Sequence, residues 1–154
     1  MTPGRATLSS MAFFRRRDRV RADLVEGFAV TEAVALQTAL VGALRPAERA
    51  SGAAVPAELV LEAGLDGRVV VVWRNAVVGF VPPARERELA VRVAGAGRAL
   101  LTVAGAVHRD GPSGPWRVWA GPVPPAGFPR PAPDEDRLAP PPRRVLGIPL
   151  TDGP

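Results

Sequence analysis

The side chains most suggestive of chemistry lie close together in the second half of the chain. His108, Asp110 and Ser113 are the residue types of a hydrolase triad. They straddle a Gly- and Pro-rich turn, however, with no nucleophile elbow and no evident oxyanion hole. A polar turn explains this group better than catalysis does. Because His108 is the only histidine in the chain, a three-histidine metal site within one subunit is excluded.

Other routes to catalysis are closed by residue type or by context. The chain has no cysteine, which excludes thiolate nucleophiles, disulfides and Cys-ligated metal sites. The acidic run at residues 134–136 stands in a Pro-rich stretch that does not fix a metal geometry. Gly95-Ala96-Gly97 follows a predicted helix, whereas a phosphate-binding loop follows a strand. We expect no catalytic residue, no metal and no cofactor, and therefore a protein that is not an enzyme.

Positive charge is abundant but unevenly placed. The formal net charge is +5, and all twenty basic residues are arginine. This usage, together with many Gly, Pro, Ala and Val residues, indicates a GC-rich coding bias. The cluster from Arg15 to Arg21, preceded by Phe13 and Phe14, suits contact with an anionic surface, and a solvated tail is the alternative. The order of apolar residues before basic ones reverses that of a signal peptide, and no apolar run approaches the roughly 20 residues that span a bilayer. These features predict a cytoplasmic protein without a membrane span.

Apolar spacing divides the chain into elements that could position these side chains. Leu36, Leu40 and Leu44 recur every four residues, which predicts a helix over 31–44 with Thr31 as its N-cap. From Glu58 onward the apolar period is two. Strands are predicted at 59–61, 68–73, 76–81, 99–109 and 116–120, with a tight turn at 74–75 and a helix over 84–93.

These elements predict an α+β fold, a small five-stranded antiparallel open β-barrel with an inserted helix and a preceding N-terminal helix. The predicted domain covers residues 31–121. Residues 1–30 are expected to form a basic disordered arm. Eleven of the last 33 residues are proline, so residues 122–154 are expected to form a Pro-rich disordered tail.

Strand alternation places a mixed set of side chains on one sheet face. Arg117 and Trp119 share a face opposite Trp116 and Val118. An exposed Arg and Trp on such a face could stack on a base or on an aromatic side chain of a peptide. The alternative is that Trp119 covers the edge of the core beneath the tail. The predicted ligand-binding residues are Arg68, Arg74, His108, Arg117 and Trp119.

Residues 59–120, about 40% of the chain, resemble the HIRAN domain. The resemblance lies in the segments 68–73 and 76–82, in the following helix with Leu89 and Gly97, and in the strand pair from Leu100 to Trp119. The segment Val78-Gly79-Phe80-Val81-Pro82 is the characteristic strand end. The resemblance implies an SH3-like open barrel that grips single-stranded DNA ends with aromatic and basic side chains.

The sequence therefore predicts a non-enzymatic module that binds single-stranded nucleic acid or a peptide. The alternative is a structural or adaptor protein that recruits a protein partner through its Pro-rich tail or its basic N-terminal arm. The sequence carries no signal for the oligomeric state.

Overall fold

The computed structural model describes residues 16–137 and two short strands near the C-terminus. The strands are β1 Arg19–Arg21, β2 Phe28–Ala29, β3 Val55–Ala63, β4 Val69–Trp73, β5 Ala76–Phe80, β6 Leu100–Arg109, β7 Trp116–Ala120, β8 Arg144–Val145 and β9 Ile148–Pro149. The helices are α1 Gln37–Ala43, α2 Pro46–Ser51 and α3 Pro83–Gly95. The class is α+β, as predicted. None of the described helices is long and apolar enough to cross a bilayer.

The hairpin of β4 and β5 is confirmed. Val69 and Val71 of β4 are buried while the valine between them is half-buried, which suits a strand with one face on the core. Arg74 and Asn75 form the turn, and their φ angles are 49° and 63°. Positive φ at both central residues is typical of the type I′ turn, whose twist matches that of the flanking strands.

Seven strands form one curled sheet in the order β2-β7-β6-β3-β4-β5, with β1 paired to β6. All these pairs are antiparallel except that of β1 and β6. The ends of the sheet meet where Thr31, just beyond β2, bridges Phe80 at the end of β5. Strands β3 to β7 are the five predicted strands, and β1 and β2 extend the predicted sheet.

β1 and β2 correct the prediction that residues 1–30 form a disordered arm. All three residues of β1 are exposed, so the strand has no buried alternation that a sequence pattern could reveal. Its pairing depends on β6, and the Leu100 N–H donates to the Asp18 carbonyl at 2.7 Å. β2 is held by the buried Phe28 and by its pairing with β7. Residues 1–15 lie outside the described residues.

The first helix covers residues 37–43 instead of the predicted 31–44. Thr31 is part of the sheet, and its hydroxyl donates to the Phe80 carbonyl at 3.1 Å, so it does not cap a helix. Glu32 has a φ of 61°, a left-handed conformation that a right-handed helix does not contain. The helix is tied instead to β7, because the Gln37 amide bonds both the N–H and the carbonyl of Trp116, at 2.9 and 2.6 Å.

Aliphatic side chains fill the interior of the curled sheet. Helix α3 contributes Leu89 and packs against β3, β4 and β6, while α1 contributes Leu40 and packs against β5 and β7. One core therefore joins the sheet to both helices. Its largest fully buried side chains are Val30, Leu40, Leu59, Leu61, Val69, Val71, Val78, Val81, Leu89, Val103, Val107 and Val118.

Gly79 permits the two ends of the sheet to approach each other. A Cβ at this position would overlap the Val30 side chain and lie 2.5 Å from the Thr31 carbonyl oxygen. The φ of Gly79 is 156°, which side-chain-bearing residues rarely adopt. The closure of the sheet therefore depends on the absence of a side chain at this residue.

We expect Gly79→Ala to lower the free energy of unfolding by about 2 kcal/mol or more, since it adds both an overlap and backbone strain. Gly42→Ala is the matched control, because a Cβ at this α1 position meets nothing within 4 Å. Gly42→Ala should raise stability by about 0.5–1 kcal/mol through helix propensity. Urea unfolding monitored by circular dichroism measures both effects. Equal stabilities for the two variants would contradict the proposed role of Gly79.

Candidate functional site

Three of the five predicted site residues lie together on the outer face of the β6–β7 hairpin. His108 pairs with Arg117, and Ala106 pairs with Trp119. Trp116 and Val118, the alternate residues of β7, belong to the hydrophobic core. The strand alternation is thus as predicted, and it brings His108, Arg117 and Trp119 to one surface.

That surface is covered by residues 122–137, which we call the strap. Phe128 of the strap stacks on His108, with ring centroids 3.9 Å apart and planes 4° from parallel. The Trp119 indole meets Phe128 edge-on and donates its N–H to the Pro122 carbonyl at 3.0 Å. Only 4% of Trp119 is exposed. The expectation of an exposed Arg and Trp is therefore wrong, and the alternative, Trp119 beneath the tail, is correct.

The strap also corrects the prediction of a disordered tail for residues 122–137. Proline prevents residues 122–137 from joining the sheet or forming a long helix, but it does not prevent their side chains from docking. No residue of the strap is itself buried, so its attachment comes from a few specific contacts rather than from a core.

An alternating chain of four charges ties the strap to the hairpin. Arg130 donates to Asp110 at 2.7 Å, Asp110 accepts from Arg117 at 3.3 Å, and Arg117 donates to both carboxylate oxygens of Asp136 at 2.6 and 2.7 Å. Desolvation raises the pKa of Asp110, but the hydrogen bonds from Arg130 and Arg117 outweigh it and leave that pKa below its usual value. Burial lowers the pKa of Arg117, whereas its bonds to Asp136 and Asp110 raise it overall. Asp110 and Arg117 are consequently held in their charged forms.

His108 is neutral beneath the strap. Burial, and then the charge of the neighbouring Arg117, lower its pKa to about 4, and Asp110 opposes this shift only in part. A neutral imidazole lies flat against the Phe128 ring without the cost of burying a charge.

The predicted site residue Arg68 serves the closure of the sheet. Its guanidinium donates to both carboxylate oxygens of Glu32, at 3.0 and 3.4 Å, and lies 3.7 Å from the centre of the Phe80 ring. Glu32 is only 4% exposed. A paired and stacked arginine of this kind stabilises a buried carboxylate.

Arg74, also predicted as a site residue, joins the β4–β5 turn to the helices. Its guanidinium bonds both oxygens of Glu48 at 2.7 and 2.8 Å, bonds the Ala43 carbonyl at 2.9 Å, and lies over the Trp73 ring. The hydrogen bond from Arg74 lowers the pKa of Glu48 to about 2. The five predicted residues are thus distributed over three separate places.

A groove of about 900 Å³ lies where α3 ends beside the starts of β4 and β6. Val93, Ala94 and Leu100, which are exposed or half-buried, contribute apolar surface to it. Its other lining residues are Arg16, Arg17, Asp18, Leu61, Glu62, Ala63, Gly67, Val69, Ala90, Gly97, Arg98 and Ala99.

The groove brings together three exposed arginines from distant parts of the sequence. Arg16 and Arg17 precede β1, Arg98 follows α3, and the parallel pairing of β1 with β6 places them side by side. Within residues 16–137, none of the three takes part in an ion pair. With Asp18 and Glu62 on the same lining, the groove has a formal charge of +1.

The basic cluster Arg15 to Arg21 is visible in the sequence, whereas the groove is not. The missing partner is Arg98, whose position depends on Gly97. Gly97 has a φ of 60° and follows the end of α3, turning the chain into β6. An isolated Gly-Arg pair after a helix is too common to predict this arrangement, which depends on a pairing across about eighty residues.

Neither metal chemistry nor a known relative accounts for these sites. In the part of the chain that the structure describes, no three His, Cys, Asp or Glu residues are placed to hold a metal ion. Comparison of the chain with protein-family models, curated proteins and solved structures gives no match.

The buried neutral state of His108 predicts a specific pH dependence. Because its pKa of about 4 in the fold lies below the unfolded value, the unfolded chain binds more protons as the pH falls. The free energy of unfolding should therefore drop by roughly 1 kcal/mol between about pH 7.5 and pH 5.5. Urea titrations at the two pH values measure this difference. His108→Gln removes the only histidine and should abolish it; an unchanged slope in this variant would show that another group titrates.

Proposed function

We propose that this protein is a non-enzymatic binding module that holds single-stranded nucleic acid in the groove. The observation that carries the proposal is the exposed triplet Arg16, Arg17 and Arg98 around an apolar floor, unpaired among the described residues. Arginine side chains that already form ion pairs, such as Arg68 and Arg74, have a smaller gain from meeting a phosphate.

The ligand class follows from the chemistry of the lining. Clustered guanidinium groups bind the phosphates of a nucleic-acid backbone and release its counterions. An apolar floor accommodates the faces of unpaired bases, which a duplex does not offer. The described lining contains no aromatic side chain, so stacking in this proposal comes from the guanidinium planes.

The resemblance of residues 59–120 to the HIRAN domain supports the same ligand. That resemblance spans β4 and α3, which line the groove, and an SH3-like or HIRAN-like barrel is the finer fold that accompanies the proposal. The binding residues in this proposal differ from those predicted from the sequence. Arg117 and Trp119 lie beneath the strap and Arg68 and Arg74 are engaged, so we assign the contacts to the groove. A cytoplasmic location belongs to the same proposal, since nucleic acid is present there.

A salt-titrated binding assay tests this function. Fluorescence anisotropy with a labelled single strand of roughly 12 nucleotides should show binding that weakens as salt increases. Arg98→Ala and the double change Arg16→Ala with Arg17→Ala should each weaken binding by about threefold or more. Each removed arginine that contacts a phosphate should reduce the salt slope by roughly 0.7.

Arg87→Ala is the matched control. Arg87 is exposed on α3 and does not line the groove, yet its substitution removes the same charge. Binding should remain within about twofold of the unaltered chain. An equal loss in the control and in Arg98→Ala, or equal affinity for a duplex of the same sequence, would contradict the proposed site.

A further inference from the structure

We propose that the outer face of the β6–β7 hairpin is a docking surface for an extended, proline-containing peptide, and that the strap occupies it in cis. The peptide would carry an aromatic side chain for His108, an arginine for Asp110 and a carboxylate for Arg117. This surface is separate from the groove, and the inference does not depend on nucleic-acid binding.

The surface is built on rigid elements. His108 and Arg117 are cross-strand neighbours in β6 and β7, and Asp110 follows β6 directly. Trp119 lies one position further along the same face and supplies a flat apolar floor. Three chemically different contact points, fixed by backbone pairing, give this surface the selectivity that a uniform apolar patch lacks.

The strap shows which ligand the surface accepts. Phe128 meets His108, Arg130 meets Asp110, and Asp136 meets Arg117. Prolines at 129, 131 and 133 keep the intervening backbone extended and reduce the entropy that docking must remove. The matching motif is therefore an aromatic residue, an arginine two positions later and an acid six positions after that.

The strap residues are less buried than the residues they cover, and this favours local opening of the strap. Every strap residue is exposed or half-buried, whereas His108 and Trp119 beneath it are 8% and 4% exposed. A segment with no buried residue of its own opens locally at lower cost than a core strand does. The attachment is favoured by the high effective concentration of a tethered ligand, so the strap acts as an internal competitor of a separate peptide.

The test uses the full chain with a loosened strap. Phe128→Ala with Asp136→Asn removes the contacts to His108 and Arg117 but leaves the surface residues unchanged, and Asp136→Asn alone is a milder second variant. The Arg130–Asp110 pair and the hydrogen bonds to the Pro122 and Glu135 carbonyls remain in both variants. The probe is a fluorescein-labelled synthetic peptide with the sequence of residues 122–137. It should bind the double variant about tenfold or more tighter than the unaltered chain, since the internal competitor is weakened.

Two controls assign the binding to this surface. Adding Arg117→Gln to the loosened chain should remove the gain in affinity, and a peptide carrying the same Phe→Ala and Asp→Asn changes should not bind. Tryptophan fluorescence reports opening directly. Trp73 and Trp116 are core residues, so loosening the strap should red-shift and expose to quencher only the emission of Trp119, and the peptide should reverse this.

Three results would overturn the docking proposal. Equal peptide affinity for the unaltered and loosened chains, or affinity insensitive to Arg117→Gln, would overturn the proposal. So would a loosened chain in which Trp119 stays protected from quencher, because the strap would then not be removable. Cooperative thermal unfolding of each variant confirms that a lost signal does not reflect a lost fold.

Discussion

The closure of the sheet by residues 28–31 is the constraint on which the rest of the structure depends. This segment pairs with β7 on one side, through Phe28 and Ala120. On the other side Thr31 exchanges two backbone hydrogen bonds with Phe80, at 2.9 and 3.1 Å. The close approach requires Gly79, and it leaves the next residue, Glu32, in a left-handed conformation with a buried carboxylate. Arg68 compensates that charge. The late start of α1, the role of Arg68 and the position of residues 28–31 are therefore consequences of one pairing.

Ion pairing divides the arginines of the described residues into two groups. Arg68, Arg74 and Arg117 each bind a carboxylate through two contacts and join segments that are distant in sequence. Such a bidentate pair fixes geometry, and a phosphate would have to displace the carboxylate before it could bind. Among the described residues, no carboxylate has to be displaced before a phosphate binds the arginines of the groove. A place on the groove lining together with the absence of an ion pair, rather than the density of positive charge in the sequence, is what distinguishes a candidate ligand contact here.

The sequence predicted those elements whose signals are local. β4 alternates buried and half-buried valines, the Arg74-Asn75 turn joins it to β5, and α3 begins after Pro82 and ends near Gly97. β1 has no buried residue, and its three residues form a strand only because β6 lies beside them. The start of α1 was predicted wrongly because a threonine before an apolar stripe serves equally well as a helix cap or as a strand end. The choice between these was made by Phe80, about fifty residues away, which no local pattern includes.

In the candidate site, too, the features that are local in sequence were predictable and the tertiary contacts were not. Alternation placed Arg117 and Trp119 on the correct face of β7, because the strand period is a local property. Whether that face meets solvent depends on residues 122–137, whose proline content argues against strands and helices but carries no information about side-chain docking. Phe128 and Asp136 are ordinary residues of a Pro-rich stretch until His108 and Arg117 are placed opposite them. Residue type and strand face thus identify a surface able to bind, and only the tertiary structure tells that the chain already supplies a ligand for it.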